Sequence, residues 1–219
     1  MTTGHPHPGI EAVLWDFGGV ILSSPFESFN KYEEANGLPK DFIRRLNATN
    51  PDTNAWAKME RSEVDLAGFC ELFEAEAVAA GGTLVGADVL TMLRGELRPQ
   101  MVRAQERIKE SGLRQALLTN NFTSEDEGGS GFSRPELAHA MDVYDCVIES
   151  SKAGVRKPDP AAYQLVLDTM GLPAEAFVYL DDLGINLKPA RALGMTTIKV
   201  IDPDEALAEL SKVLDLDLT

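Results

Sequence analysis

Apolar and polar positions along the chain are grouped into blocks that predict strands and helices in turn. Short apolar blocks have the length of strands buried on both faces, at 12–15, 113–119, 144–148, 177–180 and 196–201. Longer segments with apolar residues at helical spacing lie between or after them, at 98–111, 159–170, 187–193 and 203–213. Strands that alternate with such helices form βαβ units. The pattern therefore predicts an α/β fold with a Rossmann-like parallel sheet flanked by helices.

One connection is too long for a single crossover. About a hundred residues separate the ends of the first two strands, where roughly a dozen to thirty are enough. Residues 26–95 show helical spacing almost throughout and no convincing strand. We predict an inserted all-helical cap over 25–95, an α/β core formed by 11–24 and 96–219, and a disordered lead-in over 1–10. Because the insert leaves directly after the first strand, the cap should lie over the strand ends.

Polar residues stand where four of the predicted strands end. Since parallel strands bring their carboxyl ends to one rim, these residues should meet there. In chain order they are Asp16, then Thr119 with Asn120, then Lys157, then Asp181 with Asp182. The paired glycines Gly18 and Gly19 permit a tight turn after Asp16.

These residue types indicate phosphate chemistry. Three carboxylates without a His or Cys cluster indicate a hard cation with oxygen ligands, most simply Mg²⁺. The Thr119 hydroxyl, backbone N–H groups and the Lys157 ammonium are suited to a phosphate bound to that metal. Asp16 is then the candidate nucleophile, which would form an aspartyl-phosphate that water hydrolyses.

Charge and composition indicate which partners and which cellular compartment to expect. The formal charge of −15 and the absence of a basic stripe argue against a nucleic-acid partner. No apolar run approaches the roughly 18 residues that a membrane span requires. Cys70 and Cys146 fall on apolar stretches without metal-ligand spacing, which favours a reducing cytoplasm. We expect a small phosphorylated metabolite as partner, and the pattern predicts no particular oligomeric state.

An anionic substrate needs a locally positive pocket in this acidic chain. The basic side chains expected near the rim, each of which is also a plausible solvated surface residue, are Lys152, Arg156, Lys188 and Arg191. In the cap, the side chains that could face the site, or simply pack or be solvated, are Trp56, Arg61 and Arg94.

Three stretches resemble the haloacid dehalogenase superfamily: LLTNN, GVRKPDPAAYQ and LDDLGINLKPARALGM, in this order. The helical insert directly after Asp16 and its turn is part of the same resemblance. The resemblance covers nearly the whole chain from Ala12. It is strongest to the N-terminal phosphatase domain of soluble epoxide hydrolases and to the related domain fused to some acyl-CoA dehydrogenases. It implies a Mg²⁺-dependent phosphatase with a cap that opens and closes.

The resemblance also implies a role for each motif residue. Asp16 would be the nucleophile, the Gly18 carbonyl and Asp182 direct metal ligands, and Asp181 a neighbour through water. Thr119 and Asn120 would bind phosphate, Lys157 would bind both nucleophile and phosphate, and Asn186 would support the site.

One position departs from the family pattern. Most phosphatases of this superfamily carry a second Asp two positions after the nucleophile, as general acid and base, and here that position is Gly18. Three explanations are consistent with this glycine: another group supplies the proton, the substrate itself supplies it, or the leaving group needs none. Two alternatives stay open. A 2-haloacid dehalogenase needs no proton donor for halide, but it needs no metal and hence no acidic pair. A weak or vestigial enzyme would instead bind phosphorylated ligands.

Overall fold

A computed structural model describes residues 9–93, 95–121 and 137–218. Its sheet has five parallel strands, in the order β3-β2-β1-β4-β5. The strands are β1 (Ala12–Trp15), β2 (Arg114–Thr119), β3 (Cys146–Glu149), β4 (Phe177–Asp181) and β5 (Thr196–Lys199). The predicted parallel α/β sheet is confirmed, and β1 lies at its centre.

Helices cover both faces of the sheet because successive strand residues point to opposite sides. On one side Val13, Trp15 and Leu117 pack against α6 (Pro99–Ser111) and α11 (Pro203–Leu214). On the other side Leu14 and Leu118 pack against α9 (Pro160–Met170) and α10 (Gly184–Leu193). Both layers are apolar, which explains why the strands are apolar runs rather than alternating patterns.

The insert consists of five helices: α1 (Phe26–Ala35), α2 (Phe42–Ala48), α3 (Ala55–Glu60), α4 (Leu66–Ala79) and α5 (Gly86–Met92). They share a separate apolar core in which Trp56 stacks on Phe69 and Phe73, at ring-centroid distances of 5.1 and 5.7 Å. Trp56 therefore packs the interior of the cap.

The two linkers of the cap run side by side. Leu22 and Leu97 form an antiparallel bridge, and the Ser23 N–H donates to the Glu96 carbonyl at 2.7 Å. The Glu96 N–H in turn donates to Ser23 Oγ at 3.0 Å. This pairing joins the two linkers where the cap leaves and re-enters the core.

The structure adds details that the pattern did not resolve. Two short helices, α7 (Ala138–Met141) and α8 (Ser150–Ala153), flank β3, and α10 begins at Gly184 rather than at Leu187. Ile10 is already buried in the core, although the predicted lead-in extends to residue 10. Residues 1–8, Arg94 and the predicted surface loop at 123–134 lie outside the described residues. In the described part of the chain no helix has the length and apolar character needed to cross a bilayer.

Candidate active site

The sheet brings the predicted strand-end residues to one rim. Asp16 follows β1 directly, and its N–H donates to the Leu180 carbonyl of β4 at 2.9 Å. Thr119 is the last residue of β2 and Asp181 the last of β4, the two strands that pair with β1. Asp16 therefore lies between the ends of its two neighbouring strands, in the position where open α/β sheets bind ligands.

Lys157 is buried inside this rim and fixed at both ends. Its Nζ lies 2.8 Å from Asp16 Oδ1 and 2.8 Å from Asp181 Oδ2, and only 1% of the side chain is exposed. Its backbone N–H donates to Asn120 Oδ1 at 2.9 Å, while Asn120 Nδ2 donates to the Lys157 carbonyl at 3.0 Å. The Asn120 side chain is thus a clamp on the lysine.

Asp181 and Asp182 have different surroundings although they are adjacent. Asp181 is fully buried, and its Oδ1 accepts from the Leu183 N–H at 2.8 Å. Its Oδ2 accepts from Tyr179 Oη and Lys157 Nζ, and Asn186 Nδ2 lies 3.1 Å from both oxygens. Asp182 remains partly exposed. Asp181 therefore holds the site together, and Asp182 is the more available of the two.

Two tyrosines complete this network and were not predicted. Tyr179 donates to Asp181, and Tyr163 Oη donates to the Asn186 carbonyl at 2.7 Å. Burial raises the pKa of both phenols, so they remain protonated donors. The position of Tyr179 two residues before Asp181 on a strand places the two side chains on one face, a signal that the sequence did contain.

The cluster carries more negative than positive charge. Burial raises the pKa of Asp16 well above its usual value, and Asp181 and Asp182 raise it further, while Lys157 lowers it. Burial and the Asp181 carboxylate also raise the pKa of Asp182, to about 6. Burial disfavours the Lys157 ammonium, yet Asp16 and Asp181 raise its pKa to about 12. A second cation would relieve the remaining repulsion among the carboxylates.

The donor set fits a hard divalent ion. One carboxylate oxygen from each of Asp16, Asp181 and Asp182 lies within 4.8 Å of the others. Gly18, the residue whose carbonyl is a predicted ligand, is in the turn directly after Asp16. Oxygen donors of this kind suit Mg²⁺.

The other predicted basic residues have different partners. Lys152 Nζ lies 2.5 Å from Glu149 Oε1 and Arg156 Nε 2.5 Å from Glu60 Oε2. Arg191 donates to Thr197, Arg61 pairs with Glu63, and Lys188 is exposed. Among the described residues, Lys157 is the cation in contact with the carboxylate cluster.

A five-stranded parallel sheet with an aspartate after its central strand and a lysine and acidic pair at the same rim defines an α/β protein with a helical cap and a charged candidate active site. The model of the haloacid dehalogenase-like hydrolases matches residues 10–194. The chain belongs to that family.

Its relatives include two larger proteins and a named phosphatase. Mouse acyl-CoA dehydrogenase family member 10 is 34% identical over 212 residues, which are 94% of this chain and 19% of that protein. Pig bifunctional epoxide hydrolase 2 is 30% identical over 95% of this chain and 40% of its own length. Phosphatase MT3486 of Mycobacterium tuberculosis is 28% identical over 85% of each chain. The chain thus spans less than half the length of the first two.

Solved structures share the fold. A HAD-like family hydrolase from Porphyromonas gingivalis has a TM-score of 0.68 at 21% identity, over 95% of this chain and all of its own. A Bacteroides thetaiotaomicron family enzyme in complex with magnesium and inorganic phosphate has a TM-score of 0.59 at 17% identity, covering 87% and 94%. L-2-haloacid dehalogenase from Xanthobacter autotrophicus also has a TM-score of 0.59, at 18% identity, covering 93% and 82%. The fold alone therefore does not separate phosphatase from dehalogenase.

Proposed function

We propose that the chain is a Mg²⁺-dependent phosphatase of small organic phosphates that acts through an aspartyl-phosphate on Asp16. The observation that carries the proposal is the cluster of three carboxylates, two of which are buried in contact with Lys157. A dehalogenase has no use for this surplus of negative charge, whereas a phosphatase that holds a divalent cation beside its phosphate does. The phosphatase name of a relative covering most of both chains supports the same reading.

Each residue has a distinct task in this reaction. An oxygen of the Asp16 carboxylate attacks phosphorus, the bond to the leaving oxygen breaks, and water later attacks the phosphorus and restores Asp16. Lys157 holds the Asp16 carboxylate in place and offers charge to the phosphoryl oxygens. The Thr119 hydroxyl is a further donor, and because the Asn120 side chain is bound to Lys157, Asn120 would reach phosphate through its backbone N–H.

Asp16 and Asp182 would hold the ion directly, with the Gly18 carbonyl. Asp181 would support it through water, since its oxygens already accept several hydrogen bonds. When bound, Mg²⁺ would offset the repulsion between the attacking carboxylate and the phosphoryl oxygens.

The free cysteines Cys70 and Cys146 support a reducing cytoplasm as the compartment.

Hydrolysis of p-nitrophenyl phosphate tests the proposal. We expect turnover that requires Mg²⁺, disappears on full chelation and returns when Mg²⁺ is added back. Beryllium fluoride, which imitates a phosphoryl group on a carboxylate, should bind only when Mg²⁺ is present. Chloride release from 2-chloropropionate that survives chelation would instead establish the dehalogenase alternative. Binding of Mg²⁺ and phosphate without turnover or a beryllium fluoride adduct would establish a ligand-binding protein.

Gly19 provides an independent test of the metal site. A Cβ at this position would lie 2.3 Å from Asp182 Oδ2, and Gly19 has a φ of +80°. We expect Gly19→Ala to displace the Asp182 carboxylate and weaken Mg²⁺ binding about tenfold or more, as measured by calorimetry. Gly184→Ala is the matched control, because a Cβ there meets nothing within 4 Å. Equal Mg²⁺ affinity in both variants would remove Asp182 from the ligand set.

A further inference from the structure

The cap contacts the core at a second place, away from its paired linkers. The side chain of Arg156, which immediately precedes Lys157, reaches two cap groups. Its Nε lies 2.5 Å from Glu60 Oε2 at the end of α3, and its Nη1 donates to the Pro51 carbonyl at 2.8 Å. Beside them, Ser62 Oγ donates to the Ser151 carbonyl at 3.2 Å. All three contacts join the cap to the core segment that leads to the catalytic rim.

Side chains do not fill this boundary between the cap and the core, so its polar contacts are important. A cleft of about 290 Å³ opens along it, with Asp52 and Arg61 of the cap on one wall and Pro158 and Asp159 of the core on the other. Arg156 lines the same cleft, yet its side chain is only 17% exposed, and that of Glu60 only 14%. The ion pair is therefore largely shielded from water, although the cleft beside it is wide enough to admit water.

The ion pair is balanced rather than strongly favourable. Burial raises the pKa of Glu60, and the Arg156 guanidinium lowers it by less, so the net shift is upward. The cost of removing the carboxylate from water thus offsets much of the attraction. A contact with a small net gain can break and form again, as a reversible closure requires.

The position of the catalytic lysine does not depend on this contact. Asn120 holds the backbone of Lys157, and Asp16 and Asp181 hold its ammonium group. If Arg156 lost its cap partners, Lys157 would remain in place, and only the position of the cap would change.

We propose that Glu60 and Arg156 are positioning residues that form a latch, which sets the fraction of molecules whose cap is closed over the rim. The proposal rests on the proposed function for its kinetic consequence. Substrate binds productively to the closed state, so its apparent affinity is the intrinsic affinity multiplied by the closed fraction. Loss of the latch lowers that fraction and with it the apparent affinity, while saturating substrate restores closure. The latch therefore acts on KM and leaves kcat nearly unchanged.

A double-mutant cycle with p-nitrophenyl phosphate tests the latch. We expect Arg156→Gln to raise KM about tenfold, since it leaves the buried Glu60 carboxylate without its cation, with kcat within about threefold. Glu60→Gln should raise KM about threefold, because Arg156 keeps the Pro51 carbonyl. The double variant should have a KM below that of Arg156→Gln, since no buried charge is left unpaired. Glu63→Gln, which removes the Arg61 partner within the cap, is the matched control and should match the unmodified chain.

Hydrogen exchange separates failure of the latch from failure of the phosphatase assignment. Without substrate, Arg156→Gln should speed exchange in α3 and at linker residues 22–24 and 95–97 relative to Glu63→Gln. Unchanged exchange, additive effects on KM, or losses confined to kcat would each overturn the latch. Faster exchange in a chain that hydrolyses no phosphate ester would uphold the latch and overturn the proposed function.

Discussion

Asp16→Asn is expected to lower kcat for p-nitrophenyl phosphate by at least about 10³-fold, to the limit of detection. The amide keeps the size of the side chain but cannot attack phosphorus. It also removes one of the oxygens expected to hold Mg²⁺. Phosphate release at saturating Mg²⁺ measures the effect, and beryllium fluoride should no longer bind.

The same variant should fold at least as well as the unmodified chain in the absence of metal. The pKa of Asp16 is higher in the folded chain than in the unfolded chain, chiefly through burial. The Asp16 carboxylate therefore lowers stability at neutral pH; this cost begins to shrink as the pH falls through the folded pKa and is gone only below the unfolded pKa. Asparagine removes one of three negative charges that face a single ammonium. A midpoint of thermal unfolding well below that of the unmodified chain would show that lost activity reports misfolding rather than a missing nucleophile.

Gly18→Asp is expected to raise kcat on alkyl phosphates by up to about 10²-fold, the range of general acid catalysis. A Cβ at Gly18 meets nothing within 4 Å, and the backbone there, with φ −71° and ψ 127°, accepts an L-residue without strain. An aspartate in this turn lies two residues from the nucleophile, where it can protonate a departing alkoxide. The gain should be small on p-nitrophenyl phosphate, whose leaving group needs no proton.

A series of esters sorted by the pKa of the leaving alcohol measures this difference. With glycine at position 18, log kcat should fall steeply as the leaving group becomes more basic, and Gly18→Asp should flatten the slope. Gly18→Ala is the control for adding a side chain without an acid. A flat slope in the unmodified chain, or no gain from aspartate, would show that another group or the substrate already supplies the proton.

Much of this architecture follows from local patterns in the sequence. Apolar runs of strand length between amphipathic helices determine a parallel sheet, because each face must be covered by helices. The long helical stretch after Asp16 requires an insert, since a crossover does not need it. The convergence of Asp16, Thr119 and Asp181 on one rim then follows from the topology alone, as parallel strands end on the same side.

Features that depend on the direction of a side chain could not be predicted from these local patterns. Asp181 and Asp182 are adjacent and chemically identical in sequence, and only the packing of Tyr179 and Asn186 directs one of them inward. The clamp of Asn120 on Lys157 joins residues 37 positions apart. The start of α10 at Gly184 and the six-residue helix α3 carry too little periodicity to be predicted.

The sequence by itself determined the fold class, the helical insert and the strand-end residues that meet at one rim, because the spacing of apolar residues and the succession of strands and helices are properties of the chain. Only the tertiary structure decided which oxygens of the acidic pair stay available and how the cap is joined to the core. Glu60 and Arg156 lie 96 positions apart in sequence, beyond the reach of any local pattern, and their contact exists only because folding places α3 against the segment before Lys157.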